Sequence, residues 1–205
     1  MMRLLLTTVL CAGVICVPCR AEPAPTGSYQ GLYQHGEPPL SGVGGPLDLV
    51  AQNGKPFSLK DIQGAPALVF FGFTQCANTC PIALAQVQQL LAAFRSHKPP
   101  NVLFVTLDPL SDTPAALTQY LAQFDKRIIG LTGTPHQIEQ AAQHYGVARQ
   151  SSSGTLEHSS RWYLLDERMQ VARVYKINTP VNAMAQDIVR AQTARVAATW
   201  NDGSP

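Results

Sequence analysis

Residues 67–73 read ALVFFGF, an almost unbroken apolar run. A strand reads this way when both faces of its sheet are covered, as in parallel or mixed sheets with helices on each side. Residues 102–107 (VLFVTL) repeat the pattern, and between the two runs the period changes. Ala83, Val87, Leu90 and Phe94 recur at the spacing of a helix face, and Pro81 suits the first turn, where its missing N–H has no partner to lose. Thr113-Pro114 is an N-cap followed by a first-turn proline, and the helix it opens carries Ala116, Leu117, Tyr120 and Leu121. The order so far is strand, helix, strand, helix. A short strand near Ile128 and Ile129 and a helix from 135 to about 145, stopped by Gly146, come next. RWYLL and VARVY then flank the turn residues 166–169 as an antiparallel hairpin, and a last helix is expected over about 181–196.

Upstream of the first run, LDLVAQNGKPFSL alternates around Asn53-Gly54, a strong short-range hairpin signal. Residues 22–46 are rich in Pro and Gly without a sustained period and read as a tether. No internal repeat is visible. The pieces predict one α/β domain over 47–198: a mixed central sheet flanked by helices, with an N-terminal β-hairpin extension and a short unstructured tail at 199–205.

The first 21 residues have the layout of a secretory leader: Arg3, an apolar stretch over 4–17, and Cys19-Arg20-Ala21 as a cleavage site. The stretch falls short of the roughly 18–20 residues a helix needs to cross a bilayer, so 1–21 is expected to be a cleaved signal peptide, an uncleaved membrane anchor being the alternative. Leu10, Ile15 and Pro18 precede Cys11, Cys16 and Cys19, which does not fit a lipoprotein signal. Cleavage would remove Arg3 and Arg20 from fifteen basic residues and none of the thirteen acids, leaving a neutral chain. Without clustered basic residues, nucleic-acid binding is excluded. The expected location is the bacterial periplasm.

Cleavage would also remove three of the five cysteines, leaving Cys76 and Cys80 as a pair in an oxidising compartment. FFGFTQCANTCP puts Cys76 in the loop leaving the buried strand and Cys80 at the start of the next helix. There, unpaired N–H groups and the helix dipole are expected to lower a thiol's pKa. A disulfide over so short a loop adds little chain-entropy stabilisation, which argues against a purely structural bridge. Structural zinc needs further cysteines or closely spaced histidines, which are absent, whereas two thiolates with an imidazole suit copper. Thiol–disulfide chemistry uses the same two sulfurs and stays open at this point. Of the five histidines, His35 lies in the tether, and His97, His136 and His144 sit near helix ends, where solvation or capping is the common role. His158, in TLEHSSRWYLL, precedes a strand; in a β-α-β-α-ββ thioredoxin arrangement that loop faces the cysteine loop.

The segments FFGFTQCANTCP, TLDPLSDTPAALTQY, GLTGT, YGV and EHSSRWYLLDERMQV, in that order, resemble the Sco/SenC family over about 47–188. The resemblance implies a thioredoxin-like fold and a role in copper delivery to the binuclear copper site of cytochrome c oxidase. It implies one copper ion per monomer, Cu(I) or Cu(II), held by Cys76, Cys80 and His158, with Asp108 of TLDP beside the site or as a weak ligand. The implied partner is the oxidase subunit carrying that site, or another periplasmic copper protein, with a membrane nearby. One departure stands out. Family members commonly carry Pro-Asp after the first cysteine, whereas this chain has Ala77-Asn78, which removes a negative charge beside the thiols and bears on redox potential and partner contacts. Met169 and Met184 are isolated, so methionine-based copper storage is excluded.

The competing expectation is a thiol–disulfide oxidoreductase with Cys76 and Cys80 as its redox pair. Generic thioredoxins use C-x-x-C and a proline before the facing strand. Here the spacing is longer, no proline occurs between Pro135 and Pro180, and His158-Ser159-Ser160 occupies that loop. A peroxide-reducing enzyme would need one activated cysteine with an arginine, and no such motif surrounds Cys76. The expectation is thus a metal carrier first and an enzyme second.

Overall fold

The computed structural model describes residues 35–94, 97–147, 150–152, 155–157 and 160–201 of the chain. The expected leader and the first part of the tether lie outside them, as does His158. A seven-stranded sheet runs through the centre. Its strands are β1 (Leu49–Ala51), β2 (Pro56–Phe57), β3 (Ala67–Gly72), β4 (Asn101–Thr106), β5 (Ile128–Thr132), β8 (Arg161–Leu165) and β9 (Val171–Lys176), in the spatial order β2-β1-β5-β4-β3-β8-β9. The three strands β3, β4 and β5 are parallel, and the hairpins at either edge join antiparallel. The mixed sheet with flanking helices is the thioredoxin-like architecture that the periodicity and the resemblance led us to expect.

Every residue of β3 is buried, which is why its apolar run is unbroken. Successive side chains point to opposite faces. Leu68 and Phe70 join Val102, Phe104 and Trp162 beneath α1 (Thr79–Ala93), α2 (Pro114–Leu121) and α4 (Val181–Asn201). Ala67, Val69 and Phe71 join Leu103, Val105 and Tyr163 beneath α3 (Pro135–His144). The expected cap is made, Thr113 accepting from the Ala116 N–H, and Thr134 adds a capping box with Gln137.

Three features differ from the sequence pattern. Residues 35–46, read as tether, lie on the domain. Glu37 forms a β-bridge with Val174, His35 hydrogen-bonds the buried Asp187 through its N–H and ring, and Tyr145 donates to Gly45 O. Gly36, at φ 74°, passes so close to Tyr175 that a Cβ would stand 2.6 Å from the ring, so only glycine fits. Proline and glycine here mark a strip moulded to a surface. Second, the polar stretch before β8 contains a small antiparallel pair, β6 (Gln150–Ser152) and β7 (Thr155–Glu157), whose short polar strands showed no alternation. Third, α4 continues to Asn201, past the expected stop at 196 and into the expected tail, because VAATWN contains neither Gly nor Pro to end it. Among the described residues, no helix is long and apolar enough to cross a membrane.

Candidate metal and thiol site

Strands β3 and β4 lie side by side and parallel, so the loops leaving them open at one edge of the sheet, where α/β folds place ligands. Cys76 sits in the first loop, its N–H donating to Phe73 O at 3.2 Å. Cys80 is the second residue of α1. Its peptide N–H, one of the donors a helix start leaves unpaired, goes to Cys76 Sγ at 3.3 Å. The sulfur thus takes the place of a capping oxygen, while Asn78, at the N-cap, makes no such bond. Both thiols are free; Cys76 is half-buried and Cys80 is wholly buried.

Burial corrects one expectation. The helix start was expected to lower the pKa of Cys80, but the thiol is pushed well above its ordinary value. Loss of water is the largest cause, followed by the hydrogen bond with Cys76; a backbone hydrogen bond from Phe73 pulls the other way, and the charges of Cys76 and Asp112 add to the rise. Desolvation outweighs the helix dipole here. The pair is therefore asymmetric: a reachable sulfur on the surface and a guarded one beneath it.

Gly72 makes room for the guarded sulfur. A Cβ at this position would meet Cys80 Sγ at 2.8 Å, Phe104 Cε2 at 2.9 Å and Phe70 Cε1 at 3.0 Å. The cysteine loop is held from below by Asp112, which is fully buried. Its Oδ2 accepts from the Thr74 N–H at 3.0 Å and the Thr106 hydroxyl at 2.6 Å, and its Oδ1 accepts from the Thr74 hydroxyl at 2.5 Å. One carboxylate therefore ties the exit of β3 to the end of β4. Residues 62–94 contain no Asp, Glu, Lys, Arg or His, so Asp112 also brings negative charge to a stretch that has none of its own.

Asp108, the acid expected beside the site, is half-buried and turned into its own loop; its Oδ1 accepts from the Ser111 N–H at 3.4 Å and its carbonyl from the Asp112 N–H at 2.8 Å. His158 lies outside the described residues. Trp162 pairs with Phe70 and β8 runs antiparallel to β3, so Arg161, the first residue of β8, lies at the edge where β3 ends. The Trp162 indole donates to Gln86 of α1 at 3.0 Å, fixing that strand against the cysteine helix. Among the described residues, no group of three or more His, Cys, Asp or Glu side chains is placed to hold a metal ion. The described donor set is the two sulfurs, which by chemistry fit a soft cation that accepts few ligands.

The SCO1/SenC family profile matches residues 36–193. The chain belongs to this family. Within it, the protein SenC of Rhodobacter capsulatus is 32% identical over 154 residues, covering 71% of this chain and 69% of that one. The copper-bound structure of Bradyrhizobium japonicum ScoI superposes with a TM-score of 0.66 at 32% identity, covering 73% of this chain and 99% of the other. BsSco, described as a member of the Sco family of cytochrome c oxidase assembly proteins with a disulfide switch, gives 0.66 at 25% identity over 78% of this chain and 98% of its own. The start of the match at residue 36 agrees with the docked strip at 35–46 and precedes the expected domain start at 47.

Two residues that shape the cysteine loop escaped sequence reading. Asp112 was passed over beside Thr113-Pro114, and Gly72 was one letter in an apolar run. The network of Thr74, Thr106 and Asp112 carried no local signal, because Thr74 lies 38 residues from Asp112 in the chain.

Proposed function

We propose that this protein is an exported copper carrier of the Sco type, which binds one copper ion through Cys76, Cys80 and His158 and delivers it to the binuclear copper site of cytochrome c oxidase. The observation that carries the reading is the asymmetric thiol pair, with Cys76 half-buried, Cys80 buried and the N–H of one held by the sulfur of the other. Family membership and copper-bound relatives support copper as the cargo. A carrier must bind its ion tightly and still release it. A half-exposed sulfur can be approached by an incoming ligand while the buried one keeps hold, so the ion passes by ligand exchange. As copper binds, each thiol gives up its proton to solvent, and uptake is therefore favoured by rising pH. The clamp at Asp112 keeps the loop in place whether or not metal is present.

Anaerobic copper titration of the reduced protein tests this reading. One copper per monomer with a thiolate-to-copper absorption is expected, lost in Cys76→Ser and Cys80→Ser and weakened at least tenfold in His158→Ala. A His158→Ala protein with unchanged affinity would remove His158 from the site.

A second reading, thiol–disulfide exchange that prepares the cysteines of a partner's copper site, draws on the same two free sulfurs and on the disulfide switch named for BsSco. Cys76 would attack and Cys80 resolve. Reduction of a partner disulfide that is undiminished in His158→Ala would favour it over metal transfer.

A further inference from the structure

The phenolic oxygen of Tyr120 is sealed from solvent and, among the described residues, has no hydrogen-bond partner. A buried hydroxyl left unpaired is a standing cost, and native structures seldom keep one without a use. Its surroundings narrow that use. The Tyr120 ring lies against Phe104, with centroids 6.0 Å apart, and against Phe124 at 5.5 Å. Phe104 Cε2 and Cys80 Sγ in turn both approach within 3 Å of the point where a side chain on Gly72 would begin. Tyr120, Phe104 and the guarded sulfur thus belong to one apolar cluster. Cys76 packs against the same apolar cluster. Neither sulfur is within hydrogen-bond distance of the hydroxyl.

We propose that the Tyr120 hydroxyl is a donor held for the loaded site, forming a hydrogen bond to a cysteine sulfur once copper has replaced the thiol protons. The inference rests on the copper-carrier reading above. On loading, the S–H bonds break, the protons leave to solvent and Cu–S bonds form, with no electron transferred. Thiolate sulfur is a far better acceptor than a neutral thiol, so the bond becomes favourable only in that state. Two thiolates and one Cu(I) carry one net negative charge, near the carboxylate of Asp112 and with one of the two sulfurs wholly buried. A neutral donor offsets that charge without bringing a second cation to repel the ion. The group is suited to the task. Burial first, and then the charges of Cys80, Cys76 and Asp112, push its pKa up, so the hydroxyl keeps its proton and remains a donor. Tyr120 is thus a positioning residue, which acts on the metal through a sulfur.

The test compares wild type, Tyr120→Phe and Tyr145→Phe in the reduced, leaderless full chain. Three quantities are read: the melting temperature without metal, the competitive Cu(I) affinity, and the thiolate-to-copper absorption of the Cu(II) form. Tyr120→Phe keeps the ring and loses a hydroxyl that has no partner among the described residues, so its metal-free melting temperature should equal or exceed that of wild type. Its Cu(I) affinity should fall about five- to tenfold and its absorption band should move. Tyr145→Phe removes a bond that is made, to Gly45 O at 3.3 Å on the opposite face of the sheet. It should lower the metal-free melting temperature by about 2–4 °C and leave copper binding alone. The proposal is overturned if Tyr120→Phe melts lower as Tyr145→Phe does, or if it binds copper with wild-type affinity and spectrum. Wild-type protein that takes up no copper would end the carrier reading and this inference together; wild-type uptake with an unaltered Tyr120→Phe protein ends the inference alone.

Discussion

Two aromatic clusters face each other across the sheet. Beneath α3, Tyr145 packs on Phe71 at 5.2 Å and on Tyr163 at 5.3 Å, and its hydroxyl donates to Gly45 O. Beneath α1 and α2, Tyr120 packs on Phe104 and Phe124 at similar distances, and its hydroxyl donates to nothing described. Burial raises the pKa of both tyrosines. Packing is alike on the two sides, whereas among the described residues the Tyr145 hydroxyl is paired and that of Tyr120 is withheld. The withheld group lies on the side of the cysteines. A buried polar atom left over, more than any difference in apolar packing, is what distinguishes the face that carries the cysteines from the other.

The comparison can be broken most forcefully at Asp112. Asp112→Ala leaves the Thr74 N–H and two threonine hydroxyls without their acceptor and should cost about 3 kcal/mol in urea unfolding of the metal-free protein. A loss under about 1 kcal/mol would mean that the loop is held some other way. Gly72→Ala comes next. The added methyl meets Cys80 Sγ and two ring carbons at 3.0 Å or less, so a cost of about 1–3 kcal/mol is expected, with copper affinity falling in step; equal affinity would show that Cys80 can shift freely.

Alkylation of the reduced native protein near pH 8, read by peptide mass mapping, should mark Cys76 well before Cys80, because the buried thiol keeps its proton far above the ordinary range. Cys80 should gain reactivity only in strong alkali or on unfolding, and equal labelling would contradict the asymmetry. The smallest effect lies at the far end of the same face, where Arg127 bonds Asp125 and also reaches Leu91 O of α1 at 3.4 Å. Hydrogen bonding from Arg127 lowers the Asp125 pKa, so the pair's contribution is present above the unfolded-state value and is lost as pH falls through the lower folded one. Asp125→Asn should cost a few tenths of a kcal/mol at neutral pH, and the difference from wild type should vanish in acid.

Much of this molecule was legible from periodicity because burial on two faces leaves continuous apolar runs, and because Thr113 and Thr134 announce their helices with proline directly behind them. The cysteine pair could be read because its chemistry is local to five residues. Asp112 and Tyr120 could not, for opposite reasons. A lone acid in a polar turn looks solvated until the turn is seen to point inward, and a tyrosine on a helix face looks satisfied until its oxygen is followed to where it ends. The strip at 35–46 was misread because proline and glycine serve a free linker and a chain pressed flat against a ring equally well.

That strip also decides where this chain can be cut. A recombinant fragment begun at Leu47 would strip the edge of β9 of its bridge to Glu37, uncover the Tyr175 ring that Gly36 shields, and deprive Asp187 of the His35 contacts. Fragments that begin ahead of His35 keep this seam closed, and fusion partners belong upstream of it.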